Sequence, residues 1–493
     1  MFCQQIKLPV KQACLMILFK KGKIMTNRRR KIRKNCNKYH SKYYTVKRIN
    51  IKNIMLLVVA LILISALVTK GVTFFTSKNK SVNVVQKDIK MQKNADNTTE
   101  KDIKNENTNV KRTDVSIVAV GDNLVSDSVL YTAQRYGGGK YDFSEVFEKM
   151  KPDFQAADIA IINQETMLGG SKFPYQGYPL FNTPNSMGKA IMDAGFDIVQ
   201  CATNHSMDTK VEGMQHAIKY WKKHKDKVMM VGLNENEEEY NSIPIYECKG
   251  IKFAVLNYAY GLNGFKVPDE YSYIVNLMDK KHWNKVKSDI ERAEKEADFT
   301  IVLPHWGQEY VQPEPIKEQV KWANMMVEAG ADLIIGTHPH VCEKIQWIKA
   351  DNGNKALCYY SLGNYTSGQQ QWETLMGGMA TLTVRKDSKG TRIVKKTAGV
   401  VPTINHYVWG KSEGVVRKQY TYKLKDYNDS MLREHSIQWY DPVSYSDYQK
   451  LAKTVFGKFI KNNSNYRQIH KMLSSPNHHW SFMGIPDRQN TYL

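Results

Sequence analysis

Short β-branched runs alternate with longer amphipathic segments from residue 115 to residue 361, and this alternation constrains the fold more than any other feature. Such alternation is typical of parallel strands joined by crossover helices. Two helical segments also begin at Pro and end at Gly, as helices favour. The pattern predicts an α/β (α+β) fold, with strands at 115–120, 158–163, 197–202, 228–233, 251–258, 299–303, 332–336, 355–361, 378–384 and 393–401, and helices at 184–194, 211–223, 280–296 and 315–329.

Five of the predicted strands end in loops that carry oxygen or imidazole side chains. Ligands of α/β folds gather outside the carboxyl ends of the strands, so these loops are predicted to meet at one site. Taken singly, each loop is also consistent with an ordinary turn, a helix cap or a surface histidine. The candidate residues are Asp122, Glu165, Asn204, His205, His305, His338 and His340.

The most specific of these loops is His338-Pro339-His340. Proline disfavours helical geometry in the residue before it, so His338 is expected to be extended. In an extended chain, residues i and i+2 project to the same side. The loop is therefore predicted to direct two imidazoles at one metal ion.

The candidate donors are carboxylate, amide and imidazole groups, and none of the five loops contains cysteine. This mixture suits Zn, Mn or Fe and argues against a structural zinc cluster. A metal held in this way can polarise a phosphoryl or carbonyl oxygen, or activate a water molecule.

The N-terminal region predicts a membrane anchor. The net charge of the 493 residues is +23, but sixteen basic and no acidic residues lie in 1–53, which leaves +7 for the rest. This distribution argues against nucleic acid as a partner. Residues 54–68 are uncharged, and the apolar stretch extends to 75 with one lysine, which is long enough to span a bilayer. A cleaved signal peptide and a buried soluble helix are the alternatives.

The basic residues before this stretch predict a single-pass protein of the cell membrane with a cytosolic N-terminal tail, 1–53, and a transmembrane signal anchor, 54–75. Residues 76–112 are rich in Lys, Asn, Asp and Thr, which predicts a solvated tether. The main domain is thus expected outside the cytoplasm. Residues 406–493 show weak periodicity and are predicted to form a helical or mixed extension of unknown role.

The ordered loops resemble the bacterial capsule-synthesis protein CapA family, which is associated with poly-γ-glutamate production. The resemblance spans roughly residues 113–405 and rests on the motifs GDNL at 121–124, NQE at 163–165, ATNHSMD at 202–208, HWGQEY at 305–310, GTHPHV at 336–341 and YSLGNY at 360–365.

The resemblance implies a metallophosphoesterase-like four-layer αββα sandwich. It implies a membrane-bound role beside a polyglutamate ligase and a small membrane subunit, with an anionic polymer as ligand. It also makes His205 the counterpart of the phosphoesterase proton donor, with metal-site positions at Asp122, Glu165, Asn204, His305, His338 and His340.

Two departures from the phosphoesterase pattern bear on the metal centre. An Asp-x-His first motif would need histidine at position 124, where this chain has Leu124, and the second motif carries Asn163 and Glu165 in place of Gly-Asp. One ion is therefore as consistent with the sequence as two. The first functional hypothesis is an anchored protein of poly-γ-glutamate synthesis or export, and the alternative is a metal-dependent phosphoesterase or amidase of the cell envelope.

Overall fold

The computed structural model describes residues 112–409 and 416–461, which all fall within one compact unit, Asn105–Leu493. Two β-sheets lie face to face in it. The first has the strand order β15-β14-β12-β1-β2-β3-β4, with β11 beside β1 and β13 beside β12. Its strands are β1 Thr113–Asn123, β2 Ile159–Asn163, β3 Ile198–Gln200, β4 Met229–Val231, β11 Asn364–Thr366, β12 Met376–Asp387, β13 Gly390–Ile393, β14 Gly399–Trp409 and β15 Val416–Lys423.

The second sheet has six strands in the order β5-β6-β7-β8-β10-β9. Its four central strands run parallel, and the two edge strands are antiparallel to their neighbours. The strands are β5 Ile245–Cys248, β6 Ile251–Ala259, β7 Phe299–His305, β8 Leu333–Ile335, β9 Ile345–Lys349 and β10 Lys355–Tyr359.

Helices cover the outer face of each sheet. Helices α1 to α5 pack on the first sheet, whereas α7 and α8 pack on the second. The α-helices are α1 Asp127–Tyr136, α2 Ser144–Phe147, α3 Lys151–Gln155, α4 Asn185–Ala194, α5 Lys210–Lys223, α6 Glu237–Asn241, α7 Trp283–Glu296, α8 Lys317–Ala329, α9 Asp429–Glu434 and α10 Tyr445–Phe456. Short 3-10 helices lie at Asp269–Tyr271, Trp372–Leu375, Lys395–Thr397, Leu424–Asp426, Ser436–Trp439 and Gly457–Phe459.

The side chains of β1 show why these runs form buried strands. Val115, Ile117 and Ala119 lie in the apolar layer between the sheets, whereas Val118 and Val120 face the helices. Successive residues of a strand point to opposite faces, so a strand covered on both sides is apolar at every position. The predicted α/β architecture is confirmed, with four layers in the order helices, sheet, sheet, helices.

The structure differs from the sequence-based prediction near the C-terminal end of the first sheet. Residues 393–401 were predicted to form one strand, but the polar residues of Lys395–Thr397 make a 3-10 turn between β13 and β14. The Thr397 hydroxyl donates to the carbonyl of Val394 at 2.8 Å and closes this turn. The predicted domain boundary at residue 405 falls inside β14, and both β15 and α10 pack onto the same core.

The predicted tail and anchor lie outside the described residues, as does the tether except for Arg112. Within 112–409 and 416–461, no helix is long and apolar enough to cross a membrane.

Candidate metal centre

The parallel strands of both sheets end at the same edge of the molecule, where the predicted site residues meet. The first sheet contributes Asp122 at the end of β1 and, beyond β2 and β3, Glu165 and Asn204. The second contributes His305, the last residue of β7, and the loop after β8. The structure thus brings together all seven candidates, and each is buried, with at most 6% of its surface exposed: Asp122, Glu165, Asn204, His205, His305, His338 and His340.

Glu165 lies at the middle of this group. Its carboxylate is completely buried, and neither oxygen has a hydrogen-bond partner. Oε1 is 3.8 Å from Nε2 of His305 and 3.7 Å from Nε2 of His340. Burial raises the pKa of the Glu165 carboxyl well above its ordinary value, against the attraction of His340. Such a carboxylate, buried without hydrogen bonds and surrounded by imidazole nitrogens, is typical of a cation site.

Two overlapping sets of donors share Glu165. One set combines it with His305 and His338, the other with Asp122 and His340, and within each set the donor atoms lie within 4.8 Å of one another. Nδ1 of His338 also has no hydrogen-bond partner. These oxygen and nitrogen donors fit a divalent metal ion. A shared carboxylate is compatible with either one ion or two.

Neighbouring side chains orient His305. The Nδ1 atom of His305 lies 3.0 Å from the Thr337 hydroxyl, and Nε2 lies 2.9 Å from Oδ1 of Asn204. The Thr337 contact at Nδ1 fixes the orientation of the ring. In this orientation Nε2 and the Asn204 oxygen lie next to each other, as two ligands of one ion would. Burial lowers the pKa of both His305 and His338 well below the ordinary value, so both rings are neutral and able to ligate.

His340 has the opposite protonation tendency. Burial alone would lower its pKa, but the charges of Glu165 and Asp122 outweigh that effect and raise it to about 10. Nδ1 of His340 is 3.4 Å from Oδ2 of Asp122 and 3.1 Å from Oδ1 of Asn364. The raised pKa of His340 therefore follows from the two acidic side chains next to its ring.

The predicted extended geometry of His338-Pro339-His340 is wrong. His338 has φ +102° and His340 has φ +59°, both in the region that favours glycine. The backbone N–H of His338 donates to the Asp122 carboxylate at 3.2 and 3.3 Å, and the carbonyl of Pro339 accepts from Tyr310 at 2.9 Å. These tertiary contacts hold both histidines at the centre, with ring centroids 6.0 Å apart.

The site also contains a histidine–aspartate pair. Nδ1 of His205 lies 2.7 Å from Oδ2 of Asp208, and the Phe181 ring packs edge-on against the imidazole with centroids 4.6 Å apart. Asn263 contacts both His205, at 3.4 Å, and Asn204, at 3.2 Å. An imidazole oriented in this way by a carboxylate can hold or deliver a proton at its other nitrogen.

Leu124 is buried and offers no donor atom where an Asp-x-His motif would place one. Asn364 of β11 is instead paired in register with Asp122 of β1, and its amide oxygen contacts His340. A polar group beside Asp122 therefore comes from the neighbouring strand.

The sequence argument missed Tyr260 and Asn263, which follow β6. The Tyr260 ring packs on His338 with centroids 4.6 Å apart. β6 is also a parallel strand that ends at this edge, so the strand-end rule applied to it would have indicated both residues.

The chain is similar in sequence to bacterial capsule synthesis proteins. The family model for "Bacterial capsule synthesis protein PGA_cap" matches residues 116–369. Two similar proteins are the PGA biosynthesis protein CapA of Bacillus subtilis (strain 168), 27% identical over 274 residues, and the Capsule biosynthesis protein CapA of Bacillus anthracis, 27% identical over 260 residues. The alignments cover 55% and 52% of this chain, and 68% and 60% of those proteins.

Among solved structures, the chain aligns with the calcineurin-like phosphoesterase YfkN from Bacillus subtilis at 13% identity and a TM-score of 0.34, over 59% of this chain and 91% of that one. A phosphatase from Mycoplasma pneumoniae aligns at 12% identity and a TM-score of 0.36, over 59% and 94%. Since the family match covers just over half of the 493 residues, the chain belongs to the bacterial capsule synthesis protein PGA_cap family.

Proposed function

We propose that this chain is a membrane-anchored, extracytoplasmic protein that acts in the synthesis or export of a poly-γ-glutamate capsule and uses a metal-binding cleft. The names of the two Bacillus relatives support the capsule role. The observation that carries the metal cleft is Glu165, whose fully buried carboxylate lacks hydrogen bonds among three histidines. The apolar stretch at 54–75 supports the anchor.

In this proposal Mn, Zn or Fe binds, as one or two ions. Asp122, Glu165, His338 and His340 would hold it, together with His305 and Asn204. A bound ion would act as a Lewis acid on a carbonyl or phosphoryl oxygen. The residues of the chain would do the rest: Thr337 orients His305, and Asp208 orients His205 to hold a proton for the substrate. The proposed partners are the membrane, a polyglutamate ligase and a small membrane subunit.

The experiment deletes the gene in its own organism, returns wild-type or variant copies, and measures surface poly-γ-glutamate. We expect the deletion to abolish the polymer, the wild-type gene to restore it, and His338→Ala to fail. His224→Ala, a partly exposed histidine at the end of α5, is the control and should restore it fully. Full polymer in the deletion strain would refute the proposed role. A reporter fused after residue 493 tests whether the C-terminal end lies outside the cytoplasm.

The second candidate function is a metal-dependent hydrolase of a cell-envelope phosphoester or amide. The observation that favours it is the His205–Asp208 pair beside the metal donors. The full chain, purified in detergent and loaded with Mn or Zn, would be assayed for phosphodiester and γ-glutamyl hydrolysis. We expect His205→Gln to lower kcat roughly 10²- to 10⁴-fold while metal content stays unchanged. Turnover that survives this change would exclude His205 as the proton donor.

A further inference from the structure

The side-chain amide of Asn204 can ligate a metal ion in only one of its two orientations. Its oxygen can bind a cation, whereas its nitrogen carries two hydrogens and only donates hydrogen bonds. In the structure Oδ1 of Asn204 lies 2.9 Å from Nε2 of His305, and Nδ2 donates to Oδ1 of Asn263 at 3.2 Å. Asn204 is buried, and an amide rotated by half a turn would place N–H donors where the oxygen now lies.

Asn263 is the residue that distinguishes the two ends of this amide. Within residues 112–409 and 416–461, it is the only hydrogen-bond partner of the Asn204 nitrogen. His305 cannot take over this task in the presence of a metal ion, because Nε2 has no proton to donate to Asn204 while it acts as a ligand. By contrast, Nδ2 of Asn364, whose oxygen contacts His340, lies within 3.3 Å of four acceptor atoms.

The backbone of Asn263 supports a role at the site. Asn263 is exposed and has φ +50°, so packing in the core does not explain its conformation. Conformations of this kind cluster at functional sites, and asparagine adopts them more readily than most residues. Asn263 follows β6 of the second sheet, whereas Asn204 follows β3 of the first. Nδ2 of Asn263 also lies 3.4 Å from Nδ1 of His205, so one side chain contacts both residues of the Asn204-His205 pair.

We propose that Asn263 is a positioning residue that directs the amide oxygen of Asn204 at the metal ion. It accepts a hydrogen bond from the Asn204 nitrogen, and this bond leaves the Asn204 oxygen beside His305. Asn263 acts through Asn204 and is not itself a ligand. The inference rests on the metal cleft of the proposed function, because the orientation of the amide matters only where its oxygen binds a cation.

The test is isothermal titration calorimetry of the full chain in detergent, with Mn²⁺ and, in separate experiments, Zn²⁺. The variant is Asn263→Gly, because glycine keeps the positive φ without strain and removes only the side chain. We expect metal binding to weaken about tenfold, as it commonly does when a hydrogen-bond partner of a ligand is lost. Asn263→Asp, which keeps an acceptor oxygen, should bind metal at least as tightly as the wild type.

A double variant separates positioning from a general effect on the loop. In Asn204→Asp both side-chain atoms that can face the metal are oxygens, so the orientation of the side chain no longer matters. Asn263→Gly should therefore cause no loss of metal affinity in a chain that already carries Asn204→Asp. The same tenfold loss in both backgrounds would show that the substitution acts through the backbone of the loop, and it would overturn the proposal.

The matched control is Lys249→Gly. Lys249 has nearly the same φ, +52°, is exposed, and lies in the turn before β6, at the opposite end of that strand from the site. Its metal affinity should equal that of the wild type. Unchanged affinity in Asn263→Gly would overturn this inference alone, whereas a wild type that binds neither metal would overturn it together with the proposed metal cleft.

Discussion

Backbone strain is concentrated at the candidate metal centre. Six non-glycine residues in 112–409 and 416–461 have positive φ, and four of them surround the site: Asn263, Tyr310, His338 and His340. Such conformations cost on the order of 1–3 kcal/mol each and persist only where the surroundings enforce them. The contacts of His338 with Asp122 and of Pro339 with Tyr310 provide that enforcement. The donors are therefore positioned before any ligand binds.

At the same scale, Glu165→Gln tests the metal centre. The substitution keeps the shape but removes the charge that both donor sets share. We expect bound metal, measured by mass spectrometry of the purified full chain, to fall at least about tenfold. Added metal at about 100 times the dissociation constant should stabilise the wild type by about 2.7 kcal/mol and the variant by much less.

Glu343→Gln is the control for this prediction. Glu343 is equally buried, and burial raises its pKa to about 8, but one oxygen accepts from Gln319 at 2.6 Å and the residue belongs to neither donor set. Its metal content should match the wild type. Equal metal in the Glu165 variant would show that this carboxylate is not a ligand.

At the scale of elements, Gly121 lets β1 and β11 approach each other. A Cβ at this position would lie 1.8 Å from the carbonyl oxygen of Gly363, and the next residue, Asp122, donates its N–H to that same oxygen at 2.9 Å. We expect Gly121→Ala to separate the strands, displace Asp122 and lower both the melting temperature and the metal content. Gly261→Ala, which meets no atom within 4 Å and has no positive φ, should change neither.

A second element-scale prediction concerns His406 of β14 and the neighbouring His435. Both are buried, with ring centroids 4.9 Å apart, and burial lowers the pKa of His406 to about 4 and of His435 to about 3. The unfolded chain binds these protons near the ordinary value of 6.5. The neutral rings therefore favour the folded state above that pH, and stability falls as the pH drops from about 6.5 towards 4.

We expect His406→Phe to reduce this acid sensitivity. The phenylalanine cannot titrate, so the loss of unfolding free energy between about pH 7.5 and pH 5 should shrink by about 2 kcal/mol. The variant loses the 2.7 Å contact with the Tyr427 hydroxyl and should start from a lower stability. Urea unfolding with a chelator present measures both quantities, and parallel pH curves for the two proteins would contradict the prediction.

At the scale of the whole molecule, the site depends on the packing of the two sheets. Each sheet contributes ligand candidates, so the apolar layer between the sheets sets the distance between the two halves of the centre. Ile301 of β7 lies in this layer, completely buried. We expect Ile301→Ala to lower the free energy of unfolding by about 2–5 kcal/mol and to weaken metal binding as well.

Val320→Ala is the matched control, since Val320 lies on α8 with 36% of its surface exposed. Its effect should stay within about 0.5 kcal/mol. Normal metal affinity in a destabilised Ile301 variant would show that the two halves of the centre do not depend on this packing.

The sequence was most informative about elements and strand ends. Short runs of β-branched, apolar residues favour strands that are buried on both faces. The approximate positions of β1, β2, β7 and β10 could therefore be predicted from the local sequence. Asp122 and His305 could be assigned to one edge because parallel strands share a direction. Loop geometry could not be predicted in the same way. The backbone conformation of His338 is set by its hydrogen bond to the Asp122 carboxylate, 216 residues away. It does not follow the local preference of a residue before proline.

The sequence by itself therefore determined the alternating α/β pattern, the family resemblance and the set of residues that meet at one edge. Only the tertiary structure decided that Glu165 lies between two donor sets and that Asn364 stands beside Asp122 where Leu124 offers no donor. The reason is physical. Periodicity and composition act through local contacts along the chain, whereas ligand distances, orphaned carboxylates and cavities arise from side chains that only the packed sheets bring together.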